Sequence, residues 1–301
     1  MLKGNSLIND EECSSGLYYS FYIVFIVIFS VIFAAITATI GVNQNLAEKD
    51  LYILLSFTVS PIAAIVLTLL FVYVKGGSLL EISGLKKCEK KYYIIAIVAF
   101  ATMLLGLGNL NTIFVGFLSK KFGYIAEQMV LPEFSVGNYF LVVLTVCILP
   151  AITEEIAMRG VVLRGIKSGN LIANAILGGL LFSLFHMNPM QTPYQFAVGF
   201  VFSIIAIKSR STIPTIVAHF LNNFAIVTTE YFCPNLFANL GACQYAIIVP
   251  AFVGLVALVV FIIKDGSNTE KVKKDCLKNF FMGALAGIFI CTFMWTMAFL
   301  G

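Results

Sequence analysis

Residues 141–159 of this chain read LVVLTVCILPAITEEIAMR, a long apolar run that ends in two adjacent glutamates and an arginine. A charged side chain at the centre of a bilayer costs about 2.5–3.5 kcal/mol on insertion scales, so such residues rarely persist there without a role. The only two histidines, His186 and His219, also lie in apolar segments further along the chain. Carboxylates and imidazoles are groups that move protons and activate water. The pattern therefore indicates chemistry inside a membrane.

The composition of the whole chain excludes an ordinary soluble protein. Of 301 residues, 60% are hydrophobic and 11% are charged, and the mean hydropathy is +0.97, whereas soluble domains carry about 25% charged residues. Nine apolar segments approach the length of about 20 residues that a membrane-spanning helix needs: residues 17–42, 51–74, 92–117, 138–160, 170–187, 192–207, 213–231, 245–263 and 280–300. We therefore predict an all-α, polytopic transmembrane helical bundle of about eight to nine spans, with a polar cavity inside the membrane. The short segments 170–187 and 192–207 suit buried helices around such a cavity.

The basic residues predict the orientation of this multi-pass protein. With the N-terminus inside, all but three of its 19 lysines and arginines fall in inner loops, and the exceptions are Lys49, Lys120 and Lys121. This asymmetry favours a cytoplasmic N-terminus, and an odd number of spans would leave Gly301 outside. The net charge of +4 follows from the same bias, so we expect no nucleic-acid partner.

The chain is expected to form one integral-membrane domain over residues 1–301. Within it, spans 17–117 form a scaffold, residues 138–231 a catalytic core, and residues 245–300 the C-terminal spans. Two small features leave alternatives open. Gly283 and Gly287 form a GxxxG pair, which permits close helix packing or a homodimer. Cys233 and Cys243 share a predicted outer loop and could pair there.

Helical geometry assigns different roles to the two glutamates. Residues four apart lie on one helix face, so Glu155 and Arg159 can pair. Glu154 points about 100° away and has no local partner. We interpret Glu155 and Arg159 as a structural pair and Glu154 as the reactive carboxylate, which in a low-dielectric cavity suits a general base.

Counting along the helices indicates what Glu154 meets. It lies 15 residues before Gly169 and His186 lies 17 residues after it, so an antiparallel pair of helices with a turn near Gly169 brings both to similar depth, within about 3 Å. On a later helix, His219 and Asn223 are four apart and Asn222 is nearly on the same face. Both asparagines offer amide donors of the kind that hold an oxyanion, and geometry does not choose between them.

These patterns resemble the CPBP family of intramembrane proteases, which includes CAAX prenyl endopeptidases and bacteriocin-processing enzymes. The family motifs EExxxR, FxxxH and HxxxN match Glu154, Glu155 and Arg159, then Phe182 and His186, then His219 and Asn223. The resemblance implies that Glu154 and His186 activate a water while His219 and Asn223 stabilise the tetrahedral intermediate. It also favours Asn223 over Asn222. The simplest structural interpretation of Phe182 is that its side chain forms part of the wall of the cavity or of the core.

The sequence leaves the metal and the substrate open. Glu154, His186 and His219 could supply three zinc ligands, but no HExxH spacing occurs, so we expect that no cofactor is required. The leading hypothesis is an endopeptidase that cleaves a prenylated CAAX tail or a membrane-associated peptide precursor. The alternatives are a proton-coupled transporter and a non-catalytic scaffold or immunity protein.

Overall fold

The protein is a bundle of helices. Its structure, a computed structural model, describes residues 11–40, 46–126, 130–234, 236, 241–266 and 275–300, and these contain no strand. The α-helices in chain order are α1 (Glu11–Ile40), α2 (Leu46–Ser56), α3 (Val59–Lys75), α4 (Leu79–Ile82), α5 (Lys90–Leu107), α6 (Leu110–Phe122), α7 (Val136–Gly165), α8 (Leu171–Phe185), α9 (Thr192–Ser209), α10 (Ile213–Phe232), α11 (Tyr245–Lys264) and α12 (Cys276–Leu300). Short 3₁₀ turns occupy Pro189–Gln191 and Gly241–Gln244.

Seven helical stretches of the described chain are long and apolar enough to cross a membrane, and α8 is a shorter apolar helix. The predicted all-α polytopic bundle is therefore confirmed. Helix α10 has 20 residues but is less apolar, because it carries His219, Asn222 and Asn223. Helix α8 has 15 residues and is about 22 Å long, less than the roughly 30 Å of a bilayer core. The turn after α8 therefore lies within the depth of the bundle.

The third predicted segment, 92–117, is interrupted in the structure. Helix α5 ends at Leu107 and α6 begins at Leu110. Gly108 and Asn109 separate them, and both are poor helix formers. The Asn109 side chain donates to the side-chain oxygen of Gln244 at 2.6 Å. The sequence analysis missed this break, because the segment is apolar almost throughout.

Helices α1 and α12 cross closely because small residues face each other. A side chain at Gly283 would overlap the backbone of α1 at Cys13 and Leu17, and one at Gly287 would come within 2.8 Å of the Cα atom of Ser20. The Ser20 hydroxyl donates to the Gly283 carbonyl at 2.7 Å, and the Gly287 N–H donates back to that hydroxyl at 2.9 Å. Both glycines of the GxxxG pair thus pack against α1 of the same chain. Nothing in the described residues supports a homodimer through this helix face.

Charged residues from several predicted inner loops meet at one end of the bundle, which we call the charged end. Lys167 at the end of α7 pairs with Glu11 at 2.7 Å and Glu12 at 3.0 Å. Lys91 at the start of α5 pairs with Asp265 after α11 at 2.9 Å. The grouping agrees with the predicted loops, while the side of the membrane stays a prediction. Lys3, Lys271, Lys273, Lys274, Glu127 and Gly301 lie outside the described residues.

The remaining sequence predictions concern two cysteines, the turn near Gly169 and the division of the chain. Cys233 and Cys243 are both exposed and carry free thiols. The turn predicted near Gly169 is present, since Gly169 adopts a positive φ of 78° and Asn170 caps α8 by accepting from Ile172 N–H at 2.9 Å. Helix α7 already ends at Gly165. The division of residues 1–301 into scaffold, core and C-terminal spans stays a prediction.

Candidate active site

Helix α7 carries both glutamates, and its backbone is irregular on each side of them. Wider π-helical turns occupy Val143–Ile148 and Ile156–Val162, with regular α-helix between them. Pro150 has no N–H to donate to the Val146 carbonyl four residues earlier. The amide of Asn223 on α10 donates to that oxygen instead, at 3.0 Å. Such π turns occur frequently at functional sites, and here a side chain from another helix completes the backbone bonding.

Glu155 and Arg159 form a buried ion pair. The guanidinium Nη1 donates to Glu155 Oε1 at 2.8 Å, and the two side chains are 1% and 0% exposed. The guanidinium carbon also lies 4.2 Å from the ring centre of Phe182 and 5.6 Å from that of Phe202. Removing one member of such a pair would leave an uncompensated buried charge, so each depends on the other.

Glu155 also holds His219 on α10. The His219 Nδ1 lies 3.0 Å from Glu155 Oε1, and since an ionised carboxylate only accepts, Nδ1 carries the proton. The other nitrogen, Nε2, therefore faces Glu154, whose Oε2 lies 4.0 Å away. Glu155 Oε2 and Arg159 Nη2 have no hydrogen-bond partner in the described structure. Glu155 thus orients the imidazole, while Glu154 stands opposite its free edge.

Glu154 differs from its neighbour in having an uncommitted carboxylate. Its side chain is 11% exposed, and it accepts no hydrogen bond from the described residues. Its nearest charged contact is His219. A buried carboxylate that makes no structural bond is available to accept a proton from water.

His186 lies at the end of α8. Its Nδ1 donates to the Phe182 carbonyl at 2.9 Å, which leaves Nε2 as an acceptor when the ring is neutral. The ring packs edge-on against Phe182, with centroids 4.8 Å apart. The next residue, Met187, has a φ of +50°, a conformation that is rare for a side chain of this size and that ends the helix abruptly. The structure shows no direct bond between His186 and Glu154.

The two asparagines of α10 are tied differently. Asn222 is buried, accepts from the Tyr194 hydroxyl at 2.6 Å and donates to Asn223 Oδ1 at 3.3 Å. Asn223 is half-buried and uses one amide N–H on Val146. Its second N–H makes no bond within the described residues. Tyr194 was missed by the sequence analysis, because a single tyrosine among apolar residues carries no distinguishing signal.

The site is largely closed. Phe182, Tyr22 and Phe202 pack around the polar groups and are almost completely buried. A cavity of about 440 Å³ extends from the charged end to Arg159 and is also lined by Arg164, Lys167 and Arg210. Substrate would therefore need either this route or a movement of the surrounding helices.

The candidate zinc ligands are not gathered around one point. Glu154, His186 and His219 do not form a group that could hold a metal ion, and the described residues contain no other group of three His, Cys, Asp or Glu side chains that could. Nδ1 of His219 is also occupied by Glu155, and Nε2 is 4.0 Å from the Glu154 oxygen. As placed, these three side chains do not converge on one point as the tetrahedral ligands of zinc must. We derive no step through a metal.

The fold and this cluster together define a polytopic membrane protein with carboxylates and histidines buried between its helices. Residues 136–225 match the family model described as type II CAAX prenyl endopeptidase, Rce1-like. The match contains all three sequence motifs and supports the CPBP/CAAX protease family for this segment, so the predicted resemblance is confirmed. It supports an intramembrane CAAX-type endopeptidase in general. Comparison with curated proteins and with solved structures gave no significant match.

Proposed function

We propose that the protein is an intramembrane endopeptidase in which Glu154 activates the attacking water. The observation that carries the proposal is the contrast between the two glutamates. Glu155 is fully buried and is committed to Arg159 and His219, whereas the Glu154 carboxylate makes no hydrogen bond and faces the free edge of His219. The proposed substrate is a prenylated CAAX tail or a membrane-associated peptide precursor.

In the proposed reaction, Glu154 takes a proton from water as the oxygen attacks the scissile carbonyl carbon. The Nε2 atom of His186 accepts a hydrogen bond from the same water and orients it, since Nδ1 is occupied by Phe182. The carbonyl oxygen becomes an oxyanion. Glu154 then returns its proton to the amide nitrogen as the carbon–nitrogen bond breaks, which yields a carboxylic acid and an amine. The proton of the acid then passes to the amine, which leaves a carboxylate and an ammonium group.

His219 and Asn223 are proposed to hold the oxyanion. With Nδ1–H on Glu155, His219 can donate from Nε2 only when both ring nitrogens carry a proton. Asn223 contributes the amide N–H that Val146 does not use. A single preorganised donor of this type is worth about 10²–10³ in rate.

Glu154→Gln is the first test, with Glu155→Gln as the matched control on the same helix. Purified full-length protein in detergent is offered farnesylated and unmodified fluorogenic peptides, and rates are normalised to folded protein. We expect Glu154→Gln to abolish cleavage without loss of stability. Glu155→Gln should instead lower stability first, because Arg159 loses its charge partner.

Each arm is repeated with a strong chelator and then with added zinc. Cleavage that survives chelation supports the glutamate-activated water. Cleavage that is lost under chelation and restored by zinc would contradict it and favour a metal at Glu154, His186 and His219. Normal cleavage in folded Glu154→Gln would overturn the proposed role of this residue.

A further inference from the structure

A second polar cavity lies at the charged end, away from the glutamates and histidines. Its volume is about 630 Å³, and it is bordered by the starts of α5 and α8 and the ends of α9 and α11. Ligand sites typically enclose about 300–1,000 Å³. Neither Glu154, His186 nor His219 lines it. It shares Lys167 and Arg210 with the cavity that reaches Arg159, but none of the three candidate catalytic side chains lines it, and we treat it as a candidate binding site of its own.

The lining of this cavity carries an excess of positive charge. The charged residues along it are Lys87, Glu89, Lys91, Lys167, Lys208, Arg210 and Asp265. Both carboxylates are held by one lysine, since the Lys91 ammonium lies 2.9 Å from Asp265 and 3.4 Å from Glu89. The hydrogen bond from Lys91 lowers the pKa of Asp265, so this carboxylate stays ionised and paired at neutral pH. Lys167 is likewise paired, with Glu11 and Glu12 outside the lining, so the positive charge that attracts an anion comes from the remaining cations Lys87, Lys208 and Arg210.

Two of the cations are uncommitted. Lys87 and Arg210 line the cavity and make no hydrogen bond or ion pair with the described residues. Arg210 ends α9 in the left-handed conformation, with φ +53°. Helix ends of this kind favour glycine or asparagine, so the turn itself does not explain an arginine. Its guanidinium is suited to phosphate, which it can bind with two parallel hydrogen bonds.

The start of α5 adds a second attraction for an anion. Its N-cap residue, Glu89, makes no side-chain capping bond to the first turn. The first-turn N–H groups receive no capping bond from Glu89, and Lys91 and Tyr92 of this turn, at the positive end of the helix dipole, line the cavity. Phosphate groups commonly bind at such helix starts.

The position of the cavity identifies the class of ligand. Four helix ends meet there, and three of them belong to stretches that are long and apolar enough to span a membrane, so we expect the cavity to lie at headgroup depth. Basic pockets between membrane helices are known to receive anionic headgroups. We infer that this cavity binds the phosphate of an anionic phospholipid headgroup, with Lys87 and Arg210 as the principal contacts. The shared chemistry is a phosphate ester, for which free inorganic phosphate is the other possible source.

The test uses delipidated full-length protein in detergent, titrated with phosphatidylglycerol or phosphatidylcholine and followed by native mass spectrometry. We expect phosphatidylglycerol to bind at least about tenfold more tightly than phosphatidylcholine. Lys87→Gln/Arg210→Gln should weaken the binding of phosphatidylglycerol roughly thirtyfold. This factor corresponds to about 1 kcal/mol of binding free energy for each lost cation near a membrane surface. Lys87→Arg/Arg210→Lys keeps both charges and should retain binding.

The matched control is Lys120→Gln/Lys121→Gln, which removes two exposed charges near the end of α6. Its binding should stay within about twofold of the wild type. The inference would be overturned if the wild type bound both lipids equally. It would also be overturned if Lys87→Gln/Arg210→Gln bound phosphatidylglycerol as tightly as the wild type, or no more weakly than Lys120→Gln/Lys121→Gln. Binding of inorganic phosphate alone, with displacement of the lipid, would assign the site to free phosphate and overturn the lipid source.

Discussion

At the scale of single residues, the central feature is the charge balance around Glu155. This carboxylate accepts from both Arg159 and His219 on the same oxygen, at 2.8 Å and 3.0 Å. The pair with Arg159 is local, because the two residues are one helical turn apart. The contact with His219 joins residues 64 positions apart in the chain and could not be counted from the sequence.

The residue-scale prediction concerns Arg159→Met. Since it leaves Glu155 buried without its charge partner, we expect a loss of about 3–5 kcal/mol in unfolding free energy. Glu155→Gln/Arg159→Met should recover most of that loss, because neither charge remains. Thermal unfolding in detergent, followed by circular dichroism, measures both.

Arg164→Met serves as the control for this series. Arg164 lies on the same helix and donates to the Glu81 carbonyl at 2.6 Å, without a buried carboxylate as partner. We expect a smaller loss of stability from it than from Arg159→Met. If the double variant is as unstable as Arg159→Met alone, charge compensation is not what the arginine provides.

At the scale of the elements, Pro150 and Asn223 link α7 to α10. The proline has no N–H to offer the Val146 carbonyl, and the Asn223 amide donates to that oxygen at 3.0 Å. Asn223 therefore has a structural role besides the proposed oxyanion role. The two roles can be separated by experiment. A backbone N–H at position 150 could replace the hydrogen bond from Asn223 to Val146, but it could not replace a contact of Asn223 with the oxyanion.

The element-scale prediction uses Asn223→Ala alone and with Pro150→Ala. Asn223→Ala should destabilise the protein by about 1–3 kcal/mol, the usual effect of an unsatisfied buried carbonyl. Pro150→Ala restores a backbone donor, so the double variant should regain stability. If Asn223 also holds the oxyanion, kcat/KM stays about 10²–10³ lower in the double variant.

Both unfolding and peptide cleavage are measured on the same preparations. Asn222→Ala is the neighbouring control, since it breaks the bonds to Tyr194 and to Asn223 Oδ1 but keeps the donor of Asn223 to Val146. Recovery of both stability and activity in Pro150→Ala/Asn223→Ala would show that Asn223 acts only through its hydrogen bond between α10 and α7.

At the scale of the whole molecule, the contact between α1 and α12 joins the two ends of the described chain. Gly283→Ala would place a methyl group against the backbone of Cys13 and Leu17. We expect it to destabilise the bundle by about 1–3 kcal/mol through overpacking. The glycine face is already occupied within the chain, so size-exclusion chromatography should show an unchanged oligomeric state.

Gly254→Ala on α11 is the matched control. A methyl group there meets its nearest neighbour, the Thr102 side chain, at 3.5 Å, which is an ordinary contact. It should be neutral or slightly stabilising, since alanine favours helix over glycine. A loss of dimers in Gly283→Ala with unchanged stability would instead show that these glycines join two copies of the chain.

Some of the site follows from helical spacing alone. The i, i+4 relation predicted the Glu155–Arg159 pair, and the same rule set Glu154 apart from it. The asparagines show where spacing stops being informative. Asn222 and Asn223 are almost equivalent on a helical face, and what separates them is Tyr194 and Val146, which come from other helices.

The sequence by itself determined that this is a membrane bundle and which side chains interrupt its apolar spans, because both follow from composition and helical period. It also identified the three short motifs between Glu154 and Asn223. Only the tertiary structure decided that His219 binds Glu155, that the glycines of α12 pack on α1, and that the basic loops enclose a cavity. The physical reason is that each of these contacts joins residues far apart in the chain, where local geometry gives no measure of distance.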